Sequence, residues 1–355
     1  MAGRLRAPGE VTVIVTVLND RRVRRTIESL RSQHHAIAAI VVDDGGGPTG
    51  EIQRIAQEIA RSDPRVRWLD APGSVAQSRN TALGRVDSEF VAFLDADEIA
   101  PTDWLTRLLA PFADPAVGFT GGPTPALDGS VHGRGVRYYD GYLRRFYDVI
   151  ARRHPHALPM GNSAWRMAVF DGCGALDTTL LLGGGNEDHD MAVRALEAGW
   201  KGAYVPEAFV EHDFSDLTSW TVLRKQSRYA FGGFAVWRRR GSTYEASGAR
   251  LAPYVVLPGL VVLGALLLIP ESTRTIGAIV LGVGAIGMGV LGLALTAQGL
   301  TWDRTYPGMR YRAFEILRRW ATVWGAARGW LRFGWSGRRP GAGASGADPP
   351  ASGKP

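Results

Sequence analysis

The sequence predicts an α/β fold, in which a mainly parallel β-sheet carries helices on both faces, followed by a transmembrane helical hairpin. Two observations lead to this prediction. In the first hundred residues, β-branched and aromatic runs alternate with segments of helical periodicity, which is typical of parallel sheets. Further along the chain, two long apolar tracts contain no charged residue. The chain therefore divides into a globular part and a membrane-directed part.

Four strands are predicted in the first hundred residues, at 11–17, 37–42, 66–69 and 90–94, and further strands at 117–122 and 203–205. Their richness in Val, Ile, Leu and Phe indicates strands that are covered on both faces. Amphipathic helices are predicted between them, at residues 21–33, 51–61 and 74–83. Right-handed crossovers would bring the loops that follow the first, second and fourth strands to one edge of the sheet.

Polar side chains follow these strands, where an open α/β sheet binds its ligands. They are Asn19 after the first strand, Asp43 and Asp44 after the second, and Asp95 and Asp97 after the fourth. Two carboxylates on a tight turn suit Mg²⁺ or Mn²⁺. An isolated Asp-Xaa-Asp is also common in solvated turns, and two acids before three glycines are equally explained by turn chemistry. These acids alone therefore do not indicate a metal site, and the motifs further along the chain are needed to interpret them.

A second group of candidate residues lies in the middle of the chain. Asn186, Glu187 and Asp188 follow three glycines and open a helix with apolar positions at helical spacing. Acids in a first helical turn are favoured by the helix dipole, which is the structural explanation. The catalytic explanation is that Asp188 is a general base. His212 ends a later short strand, where a metal would be within its reach.

The composition of the chain limits the classes of function that it can have. The 355 residues carry a net charge of +7 and a single cysteine, Cys173, so an internal disulfide is excluded. The arginines flank the apolar tracts, which favours membrane lipid over nucleic acid as the anionic partner, and no nucleic-acid motif is present. Residues 1–10 form a short polar tail without the apolar segment of a signal peptide.

Five motifs, in this order, resemble those of family 2 glycosyltransferases with the GT-A fold, a Rossmann-like α/β fold. The matching segments are VTVLN at 15–19, VVDDG at 41–45, SRNTAL at 78–83, FLDAD at 93–97 and NED at 186–188. The resemblance covers about residues 11–237. It implies an enzyme that transfers a sugar from a nucleotide-diphosphate donor with inversion of configuration.

On the donor side, the resemblance implies that Asp44, with Asp43, holds the nucleotide base, Arg79 approaches the diphosphate and Asp95 lies near the ribose. Processive relatives, such as cellulose and hyaluronan synthases, carry Gln-Xaa-Xaa-Arg-Trp. Here residues 226–229 read Gln-Ser-Arg-Tyr, one residue shorter and with Tyr for Trp, which favours single transfer. The complete donor-side set is Thr16, Asn19, Asp43, Asp44, Arg79, Asp95, Gln226 and Arg228.

On the metal and acceptor side, the resemblance implies that Asp97 binds Mg²⁺ or Mn²⁺, with His212 as an additional ligand. The cation would neutralise the departing diphosphate. Asp188 would take the proton from the attacking hydroxyl, and Glu187 would orient the acceptor. The acceptor-side wall would include Gly161, Asn162 and Ser163.

The carboxy-terminal part predicts attachment to a membrane. Since a spanning helix needs about 20 apolar residues, residues 251–297 are predicted as two transmembrane helices. The basic linker 238–250 and the arginines beyond 309 favour an inner (plasma) membrane enzyme with its catalytic domain and carboxyl terminus in the cytoplasm. Residues 309–333 predict an amphipathic helix at the membrane surface, with a third span as the alternative, and residues 336–355 a disordered tail.

The anchor favours a lipid-linked or glycan acceptor, such as a precursor of a cell envelope polysaccharide. Two alternatives remain open. In a polyprenyl-phosphate sugar synthase, a phosphate oxygen attacks and no strong base is needed. A non-catalytic membrane scaffold would bind the nucleotide sugar without transferring it, and the intact set of acids argues against this second alternative.

Overall fold

A computed structural model of the chain describes residues 6–46, 50–180, 185–241 and 248–333, and only the backbone of residues 248–250. Within these ranges, a seven-stranded mixed sheet forms the centre of the amino-terminal part. One face packs against apolar residues of three helices that include Ile27, Ile55 and Trp104, and the other against residues that include Leu83 and Met191. The prediction of a mainly parallel sheet with helices on both faces is confirmed.

The sheet has the strand order β3–β2–β1–β4–β7–β6–β8. Its strands are β1 (Ala7–Val17), β2 (Ala39–Asp44), β3 (Val66–Asp70), β4 (Ser88–Asp95), β6 (Val117–Gly121), β7 (Ser163–Arg166) and β8 (Lys201–Tyr204). A separate pair consists of β5 (Glu98–Ile99) and β9 (Glu211–His212). β7 runs antiparallel to both of its neighbours, β4 and β6.

The helices of the globular part are α1 (Val23–Arg31), α2 (Glu51–Ala60), α3 (Val75–Leu83), α4 (Trp104–Leu109), α5 (Arg134–Phe146), α6 (Met167–Cys173), α7 (Glu187–Glu197) and α8 (Ser219–Arg240). Three more follow: α9 (Gly248–Leu267), α10 (Arg274–Asp303) and α11 (Arg312–Phe333). Since α3 and α7 contribute to the same core cluster, they lie on the same face of the sheet.

The register of the parallel strands fixes the functional edge. Thr16 on β1 lies opposite Asp43 on β2 and opposite Asp95 on β4. The carboxyl ends of three adjacent strands therefore stand at one level, as the crossover rule predicts. The strand β1 itself alternates, with Val13 and Val15 in one core cluster and Ile14 in the other.

The amino-terminal boundary differs from the prediction. β1 begins at Ala7, so residues 7–10 belong to the sheet and not to a tail. The backbone N–H of Ala7 donates to the carbonyl of Asp87, and that of Gly9 to Oε2 of Glu89. The hydropathy pattern did not predict residues 7–10 as part of the strand, because they lie at an exposed end of the sheet and include the charged Glu10.

The basic linker is also different from the prediction. Arg238, Arg239 and Arg240 form the last turn of α8, and residues 242–247 lie outside the described part. Arg239 contacts Asp177 at 2.5 Å, and Nε of Arg240 donates to Asp190 at 2.6 Å. At least these two arginines stabilise the globular part instead of facing lipid.

Within the described ranges, one helical segment, Glu271–Asp303, is long and apolar enough to cross a membrane, and little of its most apolar stretch is buried inside the protein. The apolar helix Leu251–Leu267 is shorter. The pair packs antiparallel, with Gly264 beside Leu281 and Gly284 beside Val261. The structure thus offers one candidate span, and the predicted hairpin of two spans is not confirmed.

The helix α11 packs along α8, which the prediction of a free interfacial helix did not foresee. Glycines allow the close approach: a Cβ on Gly325 would lie 2.1 Å from the carbonyl oxygen of Ser227, and one on Gly329 2.9 Å from Cβ of Phe234. The inward face buries Arg318 with Glu315, while Trp320 and Trp324 on the outward face are exposed. The predicted tail 336–355 lies outside the described residues.

We expect Gly325→Leu to detach α11 from α8. Its side chain has no space against the Ser227 carbonyl, so the helices must separate at a cost of about 1–3 kcal/mol or more. Gly282→Leu is the matched control, because nothing lies within 4 Å of a Cβ at that position of α10. Thermal unfolding of the purified protein measures both, and equal melting temperatures for the two variants would contradict this packing.

Candidate active site

The first part of the site is the pair of acids that ends β2. Oδ2 of Asp43 accepts a hydrogen bond from Oγ of Ser78 at 2.8 Å. Asp44 accepts from the backbone N–H of Gly46 at 3.1 Å and from Nε1 of Trp68 at 3.3 Å. Burial raises the pKa of Asp43 to about 7, although the Ser78 hydrogen bond and the charge of Arg79 oppose this.

The buried guanidinium of Arg79 joins three elements. Its Nε donates to Oγ1 of Thr16 at 3.1 Å, Nη2 to Oδ1 of Asp95 at 2.8 Å and Nη1 to Oε1 of Glu187 at 3.1 Å. A capping box of Ser74 and Gln77 fixes the start of the helix that presents it. Every guanidinium nitrogen of Arg79 therefore has a protein partner, and its contact with a diphosphate stays a prediction.

The metal end of the site follows β4. Nε2 of His212 lies 3.1 Å from Oδ2 of Asp97, and the pairing of β5 with β9 brings these residues together. Nη2 of Arg22 lies 3.7 Å from the same carboxylate oxygen. Burial opposes ionisation of Asp97, but the His212 hydrogen bond and the charges of His212, Lys225 and Arg22 outweigh it and lower its pKa to about 2.

Glu98 is a site residue that the sequence prediction missed. Its carboxyl is buried, with Oε2 accepting from the backbone N–H of Asp95 at 3.0 Å and Oε1 lying 3.6 Å from Nδ1 of His212. Burial and the charges of Asp95 and Asp97 raise its pKa well above the ordinary value. The available signal was an acid directly after the Asp-Xaa-Asp motif.

Arg22 was also missed, because its partners are distant in sequence. It contacts Asp20 at 2.5 Å and Asp216 at 2.8 Å, and donates to the carbonyl of Asp213 at 3.1 Å. These contacts join the loop after β1 to the segment after β9. Arg22 thereby links the two loops that lie on either side of Asp97.

The residues at this end fit part of the ligand set of a divalent cation. Across the part of the chain that the structure describes, no three His, Cys, Asp or Glu side chains converge as a complete metal centre. Asp97 and His212 offer two ligands side by side. Mg²⁺ and Mn²⁺ suit this partial set, because they commonly retain waters and take substrate phosphates as further ligands.

The start of α7 holds the candidate base. Asn186 has a positive φ of 77°, and its Nδ2 donates to the carbonyl of Tyr229 at 3.0 Å. Glu187 is buried against Arg79, whereas Asp188 is partly exposed. Burial, with the charge of Asp188, raises the pKa of Glu187 to about 7 despite Arg79. The carboxyl of Glu187 is thus held by Arg79, whereas that of Asp188 is accessible to solvent.

Only one of the three predicted acceptor-side residues borders the acids. A Cβ on Gly161 would lie 2.5 Å from Oδ2 of Asp95. The Asn162 amide is buried, donating to the carbonyls of Pro123 and Ala208 and accepting from Trp104. Ser163 is buried as well, with its Oγ donating to the carbonyl of Met160. The side chains of Asn162 and Ser163 therefore hold the segment in place and do not face an acceptor.

The remaining donor-side candidates are separated from this cluster or exposed. Oε1 of the buried Gln226 accepts from Nη1 of Arg318 on α11 at 3.3 Å, so this contact ties it to the helix pair. Arg228 and Asn19 are exposed, and Asn19 has a positive φ of 51°. The structure thus brings together Thr16, Asp43, Arg79, Asp95 and Glu187, with Asp97 and His212 beside them.

The resemblance to GT-A glycosyltransferases implies the arrangement found here, a mainly parallel sheet with acids at the carboxyl ends of two strands, an Asp–His pair and an acidic helix start. Residues 12–173 match the model described as "Glycosyl transferase family 2". The predicted resemblance to family 2 glycosyltransferases is therefore confirmed over these residues.

Two relatives are glycosyltransferases by name, and a solved structure shares the fold. The chain is 32% identical over 228 residues to a pre-mycofactocin glycosyltransferase of Mycobacterium tuberculosis, covering 61% of this chain but only 45% of that protein. It is 27% identical over 307 residues to an N-acetylglucosaminyltransferase of Sinorhizobium fredii, covering 75% and 71%. A mannosyltransferase of Pyrobaculum calidifontis, solved with GDP-Man and Mn²⁺, shares the fold at a TM-score of 0.60 and 17% identity, over 95% of this chain and 89% of that one.

We expect Arg79→Met to destabilise the protein strongly. The variant leaves Glu187 and Asp95 without their cation, and breaking a buried ion pair by removing one partner costs about 3–5 kcal/mol. Arg67→Met on an exposed position of β3 is the control. The comparison is made by thermal or denaturant unfolding, and a similar small effect for both variants would argue against a central role of Arg79.

The buried carboxyl of Asp43 predicts a pH-dependent stability. Its folded pKa of about 7 lies above the ordinary value of about 3.9, so the folded state holds the proton longer and stability falls as the pH rises through this window. The effect is worth roughly 4 kcal/mol in full. Asp43→Asn removes it, so the melting temperature of the variant relative to wild type should rise between pH 5 and pH 8. Asp70→Asn, at an exposed strand end, is the control, and a constant difference for Asp43→Asn would contradict the assignment.

Proposed function

We propose that this protein transfers a single sugar from a nucleotide-diphosphate donor to an acceptor hydroxyl, with inversion at the anomeric carbon. The observation that carries the proposal is the contact of Arg79 with both Asp95 and Glu187. It joins the acids of the donor-binding sheet edge to the helix that bears the base. A donor bound at this edge would have its reacting carbon near Asp188.

On the donor side, Asp43 and Asp44 would meet the nucleotide base, and Asp95 the ribose. Asp97 and His212 would hold Mg²⁺ or Mn²⁺. The bound cation supplies positive charge that stabilises the departing diphosphate. Burial and the charges of Asp95 and Asp97 raise the pKa of Glu98, and a cation bound at this end would relieve the repulsion between these acids. Single transfer remains favoured by the incomplete Gln-Xaa-Xaa-Arg-Trp motif.

On the acceptor side, Asp188 would accept the proton of the attacking hydroxyl. The hydroxyl oxygen forms the new bond to the anomeric carbon as the bond from that carbon to the diphosphate breaks. The partial exposure of Asp188 suits this role, since the base must touch the acceptor. Glu187 is held by Arg79 and would orient the acceptor or Asp188 itself.

For the location, we propose that α10 attaches the enzyme to a membrane, with the outward face of α11 at its surface. The support is the length and apolar surface of Glu271–Asp303 and the exposed Trp320, Trp324 and Trp330. A cytoplasmic catalytic domain and a lipid-linked acceptor, as in the synthesis of cell envelope glycans, are further parts of this proposal.

The test uses the full chain, purified in detergent, with Mn²⁺, a set of UDP-, GDP- and dTDP-sugars and a membrane lipid extract. Asp188→Asn should lower kcat by about 10²–10⁴-fold, because the proton acceptor is lost, while donor binding persists. Asp97→Ala should abolish the metal-dependent part of transfer. Asp114→Asn, an exposed acid paired with Lys201, is the control.

Other outcomes select the alternatives. Full activity of Asp188→Asn would favour a polyprenyl-phosphate sugar synthase, in which the attacking phosphate oxygen needs no base. Donor binding without turnover across several lipid extracts would favour a non-catalytic membrane scaffold. Activity that is unaffected by chelation and by Asp97→Ala would contradict the metal site.

A further inference from the structure

Glu98 links the two segments that carry the proposed metal ligands. Its Oε2 accepts from the backbone N–H of Asp95 at 3.0 Å, at the start of the turn that bears Asp97. Its Oε1 lies 3.6 Å from Nδ1 of His212. Only 2% of the side chain is exposed, so water does not compete for these contacts. One carboxyl group therefore faces both halves of the metal end.

The backbone around Glu98 is fixed from several sides. Glu98 pairs with His212 in the register of β5 and β9, and the N–H of Asp213 donates to the carbonyl of Asp97 at 2.9 Å. Oγ1 of Thr26 donates to the carbonyls of Ala96 and Glu98. With the backbone held in this way, the Glu98 carboxyl and the His212 ring meet in one defined arrangement.

A cation bound between Asp97 and His212 would select one tautomer of His212. The ring faces Asp97 with Nε2 and Glu98 with Nδ1. An imidazole nitrogen binds a metal only through its lone pair, so a metal at Nε2 requires the ring proton on Nδ1. The Glu98 carboxyl would accept this proton in a hydrogen bond once Oε1 and Nδ1 close from 3.6 Å to about 3 Å, which would stabilise the ligating tautomer and fix the ring.

We infer that Glu98 is a positioning residue of the metal site, which orients His212 through Nδ1 and holds the turn of Asp97 through the N–H of Asp95. This inference rests on the proposed metal-dependent function and deepens it. If Glu98 had only a structural role, its carboxyl would accept the hydrogen bond from the Asp95 N–H and would not affect His212. The two roles are separated by Glu98→Gln, since the glutamine oxygen still accepts from Asp95 while its amide group places N–H donors against Nδ1.

The experiment measures Mn²⁺ affinity of the full chain by electron paramagnetic resonance, with a nucleoside diphosphate present. Glu98→Gln should weaken binding by about 10–100-fold, the usual effect of losing such a partner. In the background of His212→Ala, Glu98→Gln should add little, because it acts through the ring. Glu89→Gln, on β4 and paired with Arg166, is the control with unchanged affinity.

A second readout does not depend on the stability of the variant. In the wild type loaded with Mg²⁺ and a nucleoside diphosphate, the ¹⁵N shifts of His212 should report the proton on Nδ1. A proton on Nε2, wild-type Mn²⁺ affinity in Glu98→Gln, or an undiminished effect in the His212→Ala background would overturn the inference. Absence of Mn²⁺ binding by the wild type, with donor binding intact, would instead contradict the metal-dependent function on which it rests.

Discussion

The site depends on the buried guanidinium of Arg79. Moving a charge out of water costs several kcal/mol, and the cost is met only when the charge finds opposite charges and hydrogen bonds of good geometry. Asp95 and Glu187 supply both, and Thr16 takes the remaining Nε–H. Since these partners stand on β4, α7 and β1, one side chain on α3 ties together four elements. The ends of β1 and β4 and the start of α7 are thereby held together by one side chain.

Around Arg79 the site contains acids whose ionised forms are disfavoured by burial and by neighbouring negative charges. Burial raises the pKa of Asp43 and Glu187 towards neutrality, and Asp95 and Asp97 add to the same effect at Glu98. A core built only for stability would replace such groups with apolar residues. Their presence at the end of parallel strands is understandable if a cation and a nucleotide provide the missing partners.

The sequence was sufficient to predict the parallel strands and the acids at their ends, because both are local patterns of apolar runs followed by turns. It was insufficient for contacts between distant segments. The short antiparallel β7 has no apolar run to reveal it, and the inward direction of Asn162 depends on Trp104 and Ala208, which are far away in sequence. Likewise, Arg239 and Arg240 looked like a lipid-facing linker, although their partners Asp177 and Asp190 lie in the globular part.

The packing of α11 on α8 has a consequence for the choice of acceptor. The same α8 provides the Tyr229 carbonyl that holds Asn186 at the start of α7. Asp188 is therefore joined through α8 to the helix whose tryptophans would lie at the lipid surface. Under the proposed function, this link would set the height of Asp188 above the bilayer. The protein would then select acceptors by length, transferring the sugar to a hydroxyl at one distance from the lipid and excluding shorter or longer head groups.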